Sequence, residues 1–427
     1  MTREKSTGSI RLVAVGLALG PAIALGFGRF AYALLLPAMR DDLEWSYAFA
    51  GAMNTANAAG YLAGALAAAA TIRAFGSGAT FTVSLLVTSL SLVATGFSHN
   101  DYWLLFVRMT SGLGGAIAFI AGAALSTSLA STIGGRTSGF VFTSYYAGAG
   151  AGIAASGVIV PYLSISGISW EWGWIGLGVI SLIATLPAHQ AAAQTPEEGR
   201  PRGATRRSAV TGMVPALLAY FLFALGYIAY MTYSAAYLLA QGFSTTEVSR
   251  FWILLGLAAV ASPIIWSGPV ARWRGGSALS AIMVTITAGA ALPLLIHERW
   301  AVSLSAVLFG GSFLTTAAAM SALVRRWLPP HRWGAGIAAF TVVFAVGQTL
   351  GPWLAGMIAD GAGGLDAGLA LSAAALLIGA LVALAQSERH RPTGELADGE
   401  ATDPRSIVGE CALTRSEIRC ATGRNSR

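Results

Sequence analysis

Charge is scarce in this sequence: 11% of its 427 residues are charged while 55% are hydrophobic, whereas a soluble chain averages about 25% charged. That shortage excludes a chain folded in water and points to lipid as the solvent. Cysteine is nearly missing as well. The only two, Cys411 and Cys420, lie in the polar C-terminal stretch, so no disulfide framework or cysteine metal cluster is expected, and no cofactor is implied. Segments of about ten residues with strict alternation, the mark of membrane strands, are absent too. Apolar runs of eighteen residues or more recur from Leu12 to Ala385, each long enough to cross about 30 Å of hydrocarbon, which a lone signal peptide does not explain. The expected fold is all-α. Although the net charge is +7, the basic residues sit in turns between spans rather than on one soluble face, so nucleic acid is not an expected partner; the lipid bilayer is.

The pattern predicts twelve spans, at 12–37, 47–71, 78–97, 102–127, 137–162, 171–188, 212–239, 248–270, 277–296, 300–324, 335–359 and 365–386. An even number puts both termini on one side. Turns on that side carry Arg73, Arg136, Arg200, Arg202, Arg206, Arg207, Arg272, Arg274, Arg325, Arg326 and Arg332, while opposite turns hold Arg40, Arg250 and Arg299 among many carboxylates. Because Lys and Arg bias short loops toward the cytoplasm, both termini are expected there, in a bacterial inner membrane.

A repeat divides the chain. Ala24-Leu25-Gly26-Phe27 recurs as Ala224-Leu225-Gly226-Tyr227, an offset of 200. At an offset of 199, Arg73 and Gly76 fall on Arg272 and Gly275, Gly112 on Gly311, and Gly148, Gly152 and Gly157 on Gly347, Gly351 and Gly356. Parallel repeats of this kind build two halves about a central site. The expected organisation is an N-terminal segment 1–11, a six-helix bundle 12–188, a polar linker 189–211, a second six-helix bundle 212–386, and a disordered tail 387–427.

The first span reads Gly26-Phe27-Gly28-Arg29-Phe30-Ala31-Tyr32 and ends at Leu36-Pro37; the second carries Asn54-Thr55-Ala56-Asn57-Ala58-Ala59-Gly60-Tyr61-Leu62-Ala63-Gly64. This pairing resembles the YbfB/YjiJ-like branch of the major facilitator superfamily, across residues 12–386. Arg108-Met109-Thr110-Ser111-Gly112-Leu113-Gly114-Gly115 is similar to the superfamily's arginine-containing fourth-helix motif. The fifth-helix Gly-Pro motif is partial, Gly148-Ala149-Gly150-Ala151-Gly152, and a fuller form lies in the eleventh span, Gly347-Gln348-Thr349-Leu350-Gly351-Pro352. The Asp usual in the turn after the second helix is missing beside Arg73 and again beside Arg272, which departs from the superfamily's charge-relay gate. The resemblance implies a secondary transporter working by alternating access.

Of the nineteen acidic residues, seven lie in the tail and the others in the N-terminus, turns or span ends, so no embedded carboxylate presents itself as a proton carrier. Two arginines are embedded instead. At 1.5 Å per residue, Arg29 lies about 12 Å inside Pro37 and Arg108 about 9 Å inside Tyr102. Asn54 reaches the same level and Asn57 lies one turn further on the same face. An arginine in a span costs roughly 2.5 to 3.5 kcal/mol at the helix centre even on lenient scales, so it faces protein or water. Two readings stand for each residue. Arg29 either anchors an anion, its planar fork matching carboxylate or phosphate, or reaches Asp41, Asp42 or a freed carbonyl. Arg108 either supports it or acts as a gating or structural group that extends toward Asp101. Asn54 and Asn57 are ligands or interhelical hydrogen-bonding groups.

In the second half, Tyr227, Tyr230, Tyr233 and Tyr237 form a stripe, with Tyr227 and Tyr230 expected either to line a cavity or to pack. Tyr145, Tyr146 and Gln348 are further candidates. Gly112, Gly148, Gly152, Gly347 and Gly351, with Pro352, read as close-packing positions. The leading expectation is a carrier of a small organic anion, functional as a monomer. Efflux of hydrophobic compounds is the alternative within that class, and a non-transporting membrane sensor the alternative outside it. An enzyme is not expected, since no nucleophile with a base and no nucleotide loop is found.

Overall fold

The computed structural model describes residues 7–133, 135–196, 211–329 and 332–388. Residues 197–210 of the expected linker, with Arg200, Arg202, Arg206 and Arg207, and the tail from 389, with both cysteines, lie outside the described residues, as do residues 1–6 and His331.

Among the described residues, twelve helices are long and apolar enough to span a bilayer: α1 Gly8–Asp42, α2 Tyr47–Phe75, α3 Ser77–Thr95, α4 Asp101–Ser131, α5 Gly135–Ile165, α6 Trp170–Ala193, α7 Val214–Ala240, α8 Thr245–Arg272, α9 Ser277–Leu295, α10 Arg299–Trp327, α11 Trp333–Ala359 and α12 Gly364–Leu384. Each coincides with an expected span. Most run beyond it, because helical hydrogen bonding continues past the last apolar residue until a cap ends it. Ser46, Asn100 and Ser244 accept from the backbone N–H groups of Phe49, Trp103 and Glu247, the side-chain capping that fixes helix starts. The chain is thus a multi-pass membrane protein. Its helices are apolar on both faces, as lipid contact requires: in α12, Leu369 and Leu376 are buried while Leu377, Leu381 and Leu384 are exposed.

The two six-helix bundles repeat one packing scheme. In the first, α1 packs on α5 and α6, α2 on α4, and α3 on α4 and α6; in the second, α7 packs on α11 and α12, α8 on α10, and α9 on α10 and α12. Small residues permit the close crossings. A methyl group added at Gly60 would overlap the Met109 carbonyl, and one at Gly112 the Asn57 carbonyl, so α2 and α4 touch backbone to backbone.

Two spans are not continuous α-helix, which periodicity did not indicate. In α1, residues Ala22–Phe30 form a π-helix that begins directly after Pro21, whose ring cannot continue the α pattern of donors. In α10 the regular helix is interrupted at Leu314, between Arg299–Phe313 and Thr315–Trp327.

Contacts between the bundles run along α2 with α11 and α5 with α8, and join the far part of α1 to α7. Their hydrogen bonds extend from the middle of the molecule to the end opposite the termini. Asp360, at the end of α11, accepts from the first two N–H groups of α2, Tyr47 at 2.7 Å and Ala48 at 2.9 Å. The Tyr233 hydroxyl meets the carbonyls of Tyr47 and Pro352, Thr55 donates to the Thr349 carbonyl, and Ser249 donates to that of Gly157. That end is sealed.

Candidate functional site

The π-helix carries Arg29. Widening the turn by one residue leaves the carbonyl of Gly28 open to other partners, and side chains from two neighbouring helices converge on it. Arg108 Nη1 donates to it at 2.9 Å, Asn57 Nδ2 at 3.4 Å and Ser111 Oγ at 3.5 Å. Asn57 also donates to the carbonyl of Arg108 at 3.2 Å. The Arg108 guanidinium lies 4.8 Å from the Tyr32 ring and 5.1 Å from that of Trp174, the arrangement that holds a cation by aromatic faces. Arg108 and Asn57 therefore hold the distorted turn of α1 in register with α2 and α4. Neither Asp101 nor Asp42 is their partner or that of Arg29: Asp101 accepts from Trp45 Nε1 at 2.8 Å and Asp42 from Trp170 Nε1 at 2.9 Å.

Arg29 points the other way, across the interface. Its Nη2 donates to Gln348 Oε1 at 2.5 Å, and the Tyr227 hydroxyl donates to the same oxygen at 3.3 Å. The guanidinium lies 5.3 Å from the Tyr61 ring and 5.9 Å from the Phe30 ring. Arg29 is 3% exposed and Gln348 fully buried, yet Arg29 Nε and Gln348 Nε2 have no hydrogen-bond partner. Since buried donors are ordinarily paired, two unused donors beside a desolvated cation form a place where an acceptor would be welcomed. Asn54 Nδ2 bridges the bundles one level further out, donating to Thr232 Oγ1 at 2.6 Å.

The other candidates lie elsewhere. Tyr230 turns into the second bundle, where its hydroxyl is 2.7 Å from Ser305 Oγ and its ring 4.5 Å from that of Phe309, about 60° around the helix from Tyr227. Tyr145 points into the first bundle and donates to the Phe119 carbonyl, while its neighbour Tyr146 is 47% exposed. Gly148 and Gly152 pack α5 against α1, at Ala18 and Ala22, and Gly347 and Gly351 pack α11 against α7, at Phe221 and Leu225. With Gly112, all lie inside a bundle. Glycines also lie between the bundles, Gly51 against Pro352 and Gly356 against Tyr47 where α2 meets α11, and Gly150 against Gly256 where α5 meets α8. Arg73 and Arg272 are exposed at the ends of α2 and α8. It is Arg326 that engages the end of α8, donating to the carbonyls of Val270, Ala271 and Trp273.

Asp360, Thr232, Tyr61 and Phe344 were not singled out from sequence. Asp360 was visible as a carboxylate at a helix end; its partner, 313 residues away, was not. The far rim also holds His99, whose Nε2 lies 3.0 Å from Glu171 Oε1 and 3.7 Å from Asp42 Oδ2. These three bring one ligand atom each within 4.8 Å of one another, but they are partly exposed and tie the α3–α4 turn to α1 and α6. A cavity of about 330 Å³ opens beside them, lined by Leu35, Asp42, Val160, Trp170 and Glu171, remote from Arg29.

The fold has close counterparts among solved structures. A bacterial homologue of the human lysosomal transporter Spinster, in an inward-facing and unoccupied conformation, superposes with a TM-score of 0.68 at 14% identity, covering 90% of this chain and 97% of that one. The nucleoside transporter NupG superposes with a TM-score of 0.69 at 11% identity, covering 88% and 98%. No curated protein matches by sequence. The family model described as "Uncharacterised MFS-type transporter YbfB" matches residues 21–384. With twelve spans, two repeated bundles and that match over most of its length, the chain belongs to the YbfB-type family of major facilitator superfamily transporters.

Proposed function

We propose that this protein carries a small organic anion across a bacterial inner membrane by alternating access, with both termini cytoplasmic and Arg29 as the anion's anchor. The observation that carries the reading is the node of Arg29, Gln348 and Tyr227, which joins the two bundles at mid-depth and keeps buried donors without acceptors. A carboxylate arriving there would replace the amide oxygen as the guanidinium's partner and use the free Nε and Nε2 donors. Charge-assisted bonds of this type are worth about 1.5 to 3 kcal/mol each. Because the ligand would then touch both bundles, its binding is sensitive to how they sit, which alternating access requires. With the termini cytoplasmic, the hydrogen bonds that join the bundles at the far end support an inward-facing arrangement.

Arg108 acts through Gly28 rather than on the ligand, positioning Arg29. Asn54 and Asp360 contribute to outer closure instead of to binding. In the absence of an embedded carboxylate, coupling is assigned to exchange, facilitated flow or a proton carried by the substrate itself.

The test is uptake into sealed vesicles, with thermal stability of the purified protein measured against carboxylates, sugar phosphates, neutral sugars and lipophilic cations. A ligand at a hundred times its Kd adds about 2.7 kcal/mol to the folded state. An anion that stabilises and enters with the parent but not with Arg29→Gln supports the reading. Stabilisation by lipophilic or neutral compounds alone, unchanged in Arg29→Gln, would replace it with efflux of hydrophobic compounds, for which the aromatic residues around Tyr227 speak. Binding without movement of any solute would favour a sensor.

A further inference from the structure

We propose that the anion is a monoanion with a flat aromatic body, its carboxylate at the Arg29–Gln348 node and its ring between two aromatic walls on the terminus side of that node. The proposal rests on the anion-carrier reading above and narrows it.

The charge follows from counting donors and cations. The amide oxygen of the node, Gln348 Oε1, already accepts two hydrogen bonds, while the donors Arg29 Nε and Gln348 Nε2 donate none. The ligand must therefore bring acceptors. Arg108 is the other embedded cation; its Nη1 is given to the Gly28 carbonyl, and although its Nε and Nη2 also lack partners, its guanidinium lies against the rings of Tyr32 and Trp174 inside the first bundle, away from Gln348 and Tyr227. Arg29 thus stands as a single cation for the ligand. A monoanion neutralises it, whereas a dianion would bring a second charge into a desolvated site without a partner.

The body follows from what lies beneath. Toward the termini from Arg29, the first bundle presents Tyr61, Phe119 and Tyr146, and the second presents Tyr220 and Phe344. Phe119 and Tyr146 are 6.0 Å apart in an edge arrangement. Phe344 stacks on Tyr220 at 5.0 Å and on Tyr227 at 5.7 Å. Tyr61, Phe119 and Phe344 are half-buried and Tyr146 is exposed, so packing leaves part of each ring uncovered. The Tyr61 ring lies 5.3 Å from the Arg29 guanidinium, which places it beside the cation. Fully packed aromatic residues would need no visitor. Partly uncovered rings on both sides of a cation suit a planar π-system, which gains offset or edge contacts that an aliphatic body of equal size does not.

The experiment uses the full chain reconstituted in liposomes, with benzoate, cyclohexanecarboxylate, acetate, phthalate and benzamide as probes of competition and uptake, beside thermal stability in detergent. The expected result is benzoate binding about tenfold tighter than cyclohexanecarboxylate, the worth of one or two ring contacts, with acetate weaker still and neither phthalate nor benzamide bound. Phe344→Leu should narrow the gap between benzoate and cyclohexanecarboxylate, and Arg29→Lys should weaken both. Equal affinity for benzoate and cyclohexanecarboxylate, with both lost in Arg29→Gln, would overturn the aromatic assignment while the anion carrier stands. Preference for phthalate over benzoate would overturn the single-charge assignment. If no carboxylate depends on Arg29, or benzamide equals benzoate, the anion reading itself falls.

Discussion

The two bundles share a frame and divide the chemistry between them. Their packing partners correspond helix by helix, and even their far rims match: His99 sits between Asp42 and Glu171 in the first, while Tyr237 links His297 and Asp366 in the second. At the centre the correspondence ends. Carried over at the repeat offsets, Arg29 falls on Ala229, Arg108 on Val307, Asn54 on Ile253, Asn57 on Gly256, and Gln348 on Ala149. Every polar residue of the candidate site has an apolar counterpart. The irregular helices differ too, α1 being wound as a π-helix at Ala22–Phe30 where α7 is α-helical throughout Val214–Ala240. Packing is what the repeat retains, because helices in lipid associate through close backbone approach wherever they occur. Function resides in the departures, with cation and amides on one side and stacked rings with one amide on the other.

The largest test of that division is Arg29→Gln. It keeps a hydrogen-bonding side chain of modest size and removes the cation. Substrate uptake should fall about a hundredfold in kcat/KM, the equivalent of about 2.7 kcal/mol, with the folded state retained. Gln348→Ala should cost only about tenfold, because the ligand can take over the guanidinium that the amide releases.

Next in size is a pair of repeat mates. A methyl group at Gly112 meets the Asn57 carbonyl, but at Gly311 the nearest atoms lie 3.8 Å away or further. Gly112→Ala must part α2 from α4 and disturb the grip of Asn57 and Arg108 on Gly28. It should destabilise the protein by about 1 to 3 kcal/mol, as overpacking does, with Gly311→Ala close to neutral. Thermal denaturation in one detergent compares them directly. Equal effects would show that the two bundles are packed alike at these glycines.

A smaller effect is expected between the bundles. Asp360, on the second bundle, caps the first turn of α2 in the first, a contact that parting the bundles at the far end would break. Asp360→Asn removes the charge that favours a helix N-terminus, worth up to about 1 kcal/mol at an exposed site. The ratio of far-side-open to closed molecules should rise by about fivefold. Labelling of a cysteine placed at Thr55, in a chain whose Cys411 and Cys420 are changed to Ser, reads that ratio. Unchanged labelling would remove Asp360 from the closure.

The sequence made much of this legible and concealed a definable part. Twelve spans, the repeat and the depth of Arg29 and Arg108 follow from hydropathy and from a rise of 1.5 Å per residue, properties local to each helix. Direction of side chains is not local in the same way. Arg108 faces Gly28 rather than Asp101 because a π-helix opened a carbonyl beside it, and one added residue per turn rotates everything that follows. The Arg29–Gln348 contact spans 319 residues and depends on how the bundles meet, for which an apolar chain without an alternating pattern gives no sign. Tyr61 was within the stretch that carries the family likeness, yet only the fold shows that it lies against Arg29.

The finest test concerns two tyrosines three residues apart, which sequence reasoning treated as one face. Tyr227→Phe removes a hydroxyl that shares Gln348 Oε1 with Arg29, so the amide becomes freer to rotate and the node less ordered before the ligand arrives. Tyr230→Phe removes a hydroxyl bonded to Ser305 inside the second bundle. Each loses one hydrogen bond, about 0.5 to 1.5 kcal/mol, but in different places. Tyr227→Phe should raise KM by about three- to tenfold with little change in thermal stability, while Tyr230→Phe should lower stability and leave KM as it was. The opposite pattern would turn α7 by about 60° about its axis and put the second aromatic wall on Phe309 and Tyr230 instead of on Phe344 and Tyr220.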